Sequence, residues 1–100
     1  MFVEKRVPHC PLPAVKAFVE ARKVRATPSA LRDAAGMGFD FAAMIDAILA
    51  LAHRDFYKSM TTYADHRIWQ DVYRPMTSAG AVYLKLTVID DVLIVSFKEL

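Results

Sequence analysis

Apolar residues recur along this chain with two different periods, and the change comes at its midpoint. Before His53 the spacing is helical. In AVKAFVEAR (14–22), Val15, Phe18 and Val19 form a stripe while Lys16, Glu20 and Arg22 lie off it. Pro11 and Pro13 stand where the helix begins, which suits a residue with no backbone N–H to lose in the first turn. Lys23 to Ala26 reads as a short extended link. Thr27 is then an N-cap with Pro28 at the first helical position, and Gly36 is the expected stop of a second short helix. Asp40 caps a third, whose Phe41, Met44, Ile45, Ile48 and Leu49 make the broad apolar face of a helix packed on a sheet.

After His53 the period becomes two. RIWQDVY (67–73) sets Ile68, Gln70 and Val72 on one side and Trp69, Asp71 and Tyr73 on the other, and Pro75 ends the strand. Val82 to Ile89 alternates Val82, Leu84, Leu86 and Val88 with Tyr83, Lys85, Thr87 and Ile89, and another strand runs from Val92 to Lys98. For Tyr57 and Lys58 the plainer reading is as surface residues of a turn. A two-residue Asp90-Asp91 turn would make the last two strands a hairpin with Ile89 opposite Val92, Leu86 opposite Val95, Lys85 opposite Ser96, Leu84 opposite Phe97 and Tyr83 opposite Lys98. Cross-strand partners share a face, so one side is apolar and the other carries Tyr83, Lys85, Thr87, Ser96 and Lys98. A longer loop would change which side chains share that face, whereas a one-residue slip would turn Phe97 and Lys98 the wrong way.

A chain of 100 residues, 55% of them apolar, is read as one domain over residues 1–100 with a modest core. MFVEKRVPHC has no leader pattern, and the longest apolar run, Phe41 to Ala52, contains Asp46 and is too short to span a bilayer, so a soluble cytoplasmic protein is expected. Cys10 is the one cysteine and reads as a small hydrophobe. Three dispersed histidines and one cysteine have no zinc-ligand spacing, and no metal or other cofactor is expected. The formal net charge is +2, but the first 25 residues carry Lys5, Arg6, Lys16, Arg22, Lys23 and Arg25 against Glu4 and Glu20. Such a surplus attracts phosphate backbones or forms a solvated face, and charge alone does not choose between them. There is no Gly-rich phosphate loop, GxSxG elbow or dinucleotide fingerprint.

The polar hairpin face carries chemistry of its own. A phenol beside one ammonium group, with a second two residues away, suits a phosphate, because lysines hold the charge of a phosphorane and a tyrosine relays a proton. RNA cleavage by the adjacent 2′-hydroxyl needs only a proton acceptor, a proton donor and a clamp for the equatorial oxygens. The plainer readings stand beside this one: Lys85 and Lys98 as edge protection, Tyr83 as an ordinary cross-strand pair, and Gln70 as a satisfied polar group. Asp65-His66 looks like an acid/base pair, yet neighbours in a strand or turn rarely point the same way.

RDFYKSMTTYADHRIWQDVYRP (54–75) and VYLKLTVIDDVLIVSFKE (82–99) resemble the two signature blocks of the MqsR toxins, and KRVPHC, VKAFV and RATPSAL match in order ahead of them. The resemblance covers essentially the whole chain. It implies a RelE-like α+β fold, with N-terminal helices packed on a mostly antiparallel β-sheet and a C-terminal β-hairpin. It also implies the toxin of a type II toxin–antitoxin system, an endoribonuclease that cuts mRNA at GCU-type sites without the ribosome or a metal ion. A cognate MqsA-type antitoxin would neutralise it and repress their shared operon, so DNA is met only through that complex. Growth arrest, persistence and biofilm behaviour are the cellular readouts implied.

The family's active residues carry over to Lys58, Gln70, Tyr83 and Lys98. The expected roles are Tyr83 as proton donor to the leaving 5′ oxygen, Lys58 and Lys98 as stabilisers of the phosphorane, and Gln70 as a group that orients the phosphate or a flanking base. His66 and Lys85 are further candidates for acid/base work or substrate contact, and the general base stays open among a lysine, Tyr83 and His66. Departures fall at Arg54, at Asp90 and between Pro75 and Ala81, where loops vary. The competing readings are a non-catalytic RNA- or protein-binding module, and an interaction domain that pairs through an exposed strand.

Overall fold

The computed structural model describes residues 3–100, and the order of its elements follows the change of period. A two-residue strand β1 (Glu4–Lys5) comes first, followed by α1 (Leu12–Glu20), β2 (Val24–Ala26), α2 (Pro28–Gly36) and α3 (Phe41–Leu49). A turn of 3-10 helix at His53–Asp55 leads into β3 (Phe56–Thr61), β4 (Trp69–Tyr73), β5 (Met76–Thr77), β6 (Gly80–Val88) and β7 (Val92–Glu99). The strands form a mixed sheet in the order β1-β3-β4-β6-β7-β2, with β5 paired to β6 off this path. Every pairing is antiparallel except β2 with β7. The fold is α+β.

Helix starts follow local chemistry. The Thr27 hydroxyl accepts from the Ala30 amide at 3.1 Å, and the Asp40 carboxylate accepts from the Ala43 amide at 2.8 Å. The stop of α2 falls at Gly36 as expected, but another glycine closes it. Gly36 is its last helical residue, and the chain turns at Gly38, whose φ of +87° lets the Phe39 amide reach the Ala34 carbonyl and the Gly38 amide reach that of Ala35. This closure needs its glycine one residue past the cap, a place Gly38 occupies and Gly36 does not.

The extended link at Lys23 to Ala26 proves to contain an edge strand. Val24, Arg25 and Ala26 run parallel to Val92, Leu93 and Ile94, a pairing with a segment nearly seventy residues away that three residues of local sequence do not encode. Tyr57 and Lys58 likewise lie within β3, not in a turn. The stretch between Pro75 and Ala81 holds β5, which pairs with the start of β6 through Met76–Ala81 and Thr77–Gly80.

The helices cover one side of the sheet. Leu12, Val15 and Val19 of α1, Ala30 and Ala34 of α2, and Met44 and Ile48 of α3 pack with Tyr73, Val82, Leu84, Leu86, Val92, Ile94 and Phe97. Each large aliphatic member contributes about 1.5–3 kcal/mol by leaving water. Phe41, at the margin of the expected apolar face, stays 38% exposed.

The register of β6 against β7 departs from the simple count and returns to it. Val88 faces Val92, Thr87 faces Leu93 and Leu86 faces Ile94, so the connection is the three residues Ile89 to Asp91. A break between Lys85 and Leu86 then restores Lys85–Ser96, Leu84–Phe97, Tyr83–Lys98 and Val82–Glu99. Leu86–Val95 and Ile89–Val92 are therefore not partners. Val95 is the extra residue of a bulge, and its carbonyl accepts from the Thr27 hydroxyl at 3.1 Å. The physical reason is burial. Val92 and Ile94 both enter the core, and without the bulge one end of β7 would turn its apolar residues away from the helices.

Candidate active face

The side of the sheet away from the helices is built by alternation. In β4, Tyr73 enters the core and Asp71 shares its side, so Gln70 and Val72 point the opposite way. Lys58 of β3 lies opposite Val72, Val72 opposite Lys85 of β6, and Lys85 opposite Ser96 of β7. One row thus runs Lys58–Val72–Lys85–Ser96 across four strands. Tyr83 and Lys98 form the next row at one end of it, and Gln70, opposite Met60, lies at the other. Sheet pairing therefore brings Lys58, Gln70, Tyr83, Lys85 and Lys98 onto one surface.

Electrostatics couple these groups. The Lys98 and Lys85 ammonium nitrogens lie 5.5 Å and 5.9 Å from the centre of the Tyr83 ring. Burial pushes the Lys85 ammonium below the usual lysine range, and the charges of Lys98 and Lys58 push it further the same way. Three cations thus share a surface with a phenol, an arrangement that awaits an anion. Lys58 makes an ion pair with the carboxylate of Glu4.

Next to Lys58, Tyr57 sits where the β3–β4 register shifts, and its ring is approached by Arg74 at 3.9 Å, Lys58 at 5.3 Å and Arg6 at 5.4 Å. Arg6 also donates to the Tyr57 carbonyl at 3.4 Å. Sequence reasoning missed Arg74, although continuing the Gln70, Val72 alternation by one step reaches it. Glu4, Arg6 and Tyr57 left no periodic signal, because β1 is two residues long and a bulge interrupts the period of β3.

His66 is not brought into this group. It is exposed in the turn between β3 and β4, and its neighbour Asp65 is engaged by Arg67 at 3.0 and 3.1 Å. The Arg67 guanidinium holds the Asp65 carboxyl down at about 2, with only a minor contribution from His66, so the sequence pair Asp65-His66 forms no dyad. The N-terminal basic surplus also disperses. Lys16 donates to the Leu51 carbonyl at 2.7 Å, Arg25 forks onto Asp91, and Lys5 stacks on Trp69 at 4.2 Å on the opposite side of the sheet from Lys58.

On that opposite side Asp71 is 3% exposed and accepts from the Ser59 hydroxyl, the His9 amide at 2.9 Å and the Cys10 amide at 3.0 Å. His9 in turn stacks on Trp69 with ring centres 5.3 Å apart. These contacts tie the segment between β1 and α1 to the sheet, and so fix the strand that carries Glu4.

A sheet face with clustered lysines, a phenol among them and an arginine-stacked tyrosine at its margin defines a small α+β protein built to engage phosphodiester chains. Residues 7–99 match the family described as the motility quorum-sensing regulator, toxin of MqsA. The chain is also similar to the mRNA interferase toxin MqsR of Escherichia coli (strain K12), at 61% identity over 97 residues that cover 97% of this chain and 99% of the relative. The chain belongs to the MqsR toxin family.

Proposed function

We propose that this protein is the toxin of a type II toxin–antitoxin pair, a single RelE-like domain that acts as an endoribonuclease on mRNA and arrests translation and growth. The observation that carries the reading is the placement of Lys85 and Lys98 beside Tyr83, with Lys58 in the same row as Lys85, on the sheet face that the helices leave uncovered. The relative's name, an mRNA interferase toxin, supports it.

In the reaction the ribose 2′ oxygen attacks the adjacent phosphorus and the bond to the 5′ oxygen breaks, leaving a 2′,3′-cyclic phosphate and a free 5′-hydroxyl. Lys58 and Lys98 hold the equatorial oxygens as charge builds on them, which a preorganised ammonium does at little reorganisation cost. Tyr83 gives its proton to the departing 5′ oxygen. Gln70, at the opposite end of the face from Tyr83, orients the phosphate or a flanking base. Lys85, between Lys58 and Lys98, adds a third contact to the substrate. His66 is assigned no proton-transfer role. The nucleophile belongs to the substrate and the charge is met by lysines, so the chemistry requires no metal ion.

The expected substrate is mRNA at GCU-type sites, cut without the ribosome. The expected partner is an MqsA-type antitoxin, with DNA reached only through that complex. The expected location is the cytoplasm, and among the described residues no helix is long and apolar enough to cross a membrane.

The test is cleavage of a defined RNA containing GCU sites by the purified chain in EDTA. Cuts at those sites support the reading. Intact RNA with retained binding would instead assign the face to a non-catalytic RNA-binding module.

A further inference from the structure

One carboxylate reaches into the lysine cluster. Glu4 lies opposite Met60, on the side of the sheet that carries Lys58 and Gln70, and its Oε2 forms the ion pair with the Lys58 ammonium. Its short strand is held along its length. The Val3 amide donates to the Thr61 hydroxyl at 2.8 Å, the Thr61 amide returns a bond to the Val3 carbonyl at 2.9 Å, and the Lys5 ammonium lies 3.0 Å from His9 Nδ1. Beyond β1, Asp71 holds the His9 and Cys10 amides. Among the described residues the ion pairs are Arg25–Asp91, Arg67–Asp65 and Lys58–Glu4, so Glu4 is the carboxylate that engages this cluster.

We propose that Glu4 is the general base of the cleavage reaction, the acceptor of the 2′-hydroxyl proton. This rests on the nuclease reading above and supplies the one role that reading leaves open. A phosphate oxygen held by the Lys58 ammonium sits about 2.8 Å from it, and the attacking 2′ oxygen approaches phosphorus to about 3–3.5 Å. Both therefore fall beside a carboxylate already in contact with the same ammonium. The other ionisable side chains of the cluster are lysines and a phenol, and an ammonium group has no lone pair to take a proton, whereas a carboxylate has two acceptor oxygens.

The proton of the 2′-hydroxyl passes to Glu4, the 2′ oxygen bonds to phosphorus, the bond from phosphorus to the 5′ oxygen breaks, and that oxygen takes a proton from Tyr83. Negative charge moves from the carboxylate to the phosphorane, and Lys58 touches both. Its ammonium pairs with Glu4 before the transfer and with the equatorial oxygens after it, so it is never left without a counter-charge. Glu4 comes from β1 and Tyr83 and Lys98 from β6 and β7, so the acceptor and donor assigned here belong to different sides of the Lys58–Lys85 row.

The test is single-turnover cleavage of a GCU-containing RNA by the full chain across pH 5 to 9, for the wild type, Glu4→Gln and Glu4→Ala, with binding measured on the same RNA carrying 2′-deoxyribose at the scissile nucleotide. On the side of the sheet that Glu4 faces, the charged groups of β3 and of the segment around Glu4 are Lys58 and Arg6, which reaches Tyr57, both cations, while Met60 and Gln70 are neutral and Lys5 lies on the other side. A carboxylate base therefore predicts that the wild-type rate falls on the acid side and that Glu4→Gln loses this limb. The Glu4→Gln rate drops about 100-fold or more, the deoxy RNA binds as tightly as to the wild type or more tightly, and acetate partly restores Glu4→Ala. A Glu4→Gln rate within about threefold of the wild type, an unchanged acid limb, or a loss of binding that accounts for the loss of rate each overturns the assignment. A wild-type chain that does not cut RNA overturns the nuclease reading itself and the assignment with it.

Discussion

Tyr83 and Lys98 face each other across β6 and β7, with the Lys98 ammonium 5.5 Å from the ring centre, although the register of the same two strands is broken three residues further on. The bulge at Val95 separates two demands: the turn end of β7 must bury Val92 and Ile94, and the far end must expose Lys98. Tyr83→Phe keeps the ring and removes the proton. Its expected effect is a fall in the single-turnover rate of about 10²–10³-fold with RNA affinity nearly unchanged. A Tyr83→Phe protein that cuts at the wild-type rate would remove Tyr83 from the proton-donor role.

Lys85 links the site to stability. Its folded pKa is depressed, first by burial and then by Lys98 and Lys58, so below that pKa the folded state holds a proton less favourably than the unfolded chain does. The penalty is full below the depressed value and is relieved as pH rises from there to the ordinary lysine value. Lys85→Met should therefore raise stability at pH 7, and the gain should vanish above about pH 10.5. Urea melts of both proteins at pH 7 and above pH 10 check this, and a gain that persists at high pH would assign it to packing.

Asp71 satisfies three donors at once, and a buried donor without an acceptor costs about 1–3 kcal/mol. Asp71→Ala should destabilise by about 3 kcal/mol or more, whereas Asp71→Asn, which keeps one carbonyl oxygen, should cost less. The variant also releases the segment that positions Glu4, so its activity should fall further than its melting temperature alone explains. Thermal melts beside cleavage rates at a temperature where both proteins are folded separate the two effects.

Thr27 does two jobs through one hydroxyl, capping α2 at the Ala30 amide and donating to the carbonyl of the bulged Val95. A cap alone is worth about 1 kcal/mol. Thr27→Ala should cost about 2 kcal/mol, and Thr27→Asn, which restores the cap but not the bond to Val95, should recover only part of it. Full recovery by Asn in denaturant melts would show that the bulge does not depend on Thr27.

Elements whose signals are local could be read from the residues alone. The stripe of Val15, Phe18 and Val19, the caps at Thr27 and Asp40, and the alternation in β4 and β6 each arise from neighbours a few residues apart, where spacing and side-chain chemistry act directly. The pairing of Tyr83 with Lys98 was also legible, because Phe97 and Lys98 cannot exchange faces without exposing one and burying the other. The family blocks pointed to Lys58, Gln70, Tyr83 and Lys98 as the expected active residues, something periodicity alone could not do.

The other features rest on contacts that exist only once the chain has folded. Whether Gly36 or Gly38 closes α2 depends on which one reaches a positive φ. Whether residues 24–26 form a strand depends on an edge of β7 that exists only after folding. Whether Lys58 shares a row with Lys85 depends on the register of three strands at once. Glu4 reaches the lysines for the same reason: two residues have no period of their own, and their place is set by Met60, Ser59 and the clamp at Asp71, more than fifty residues away along the chain.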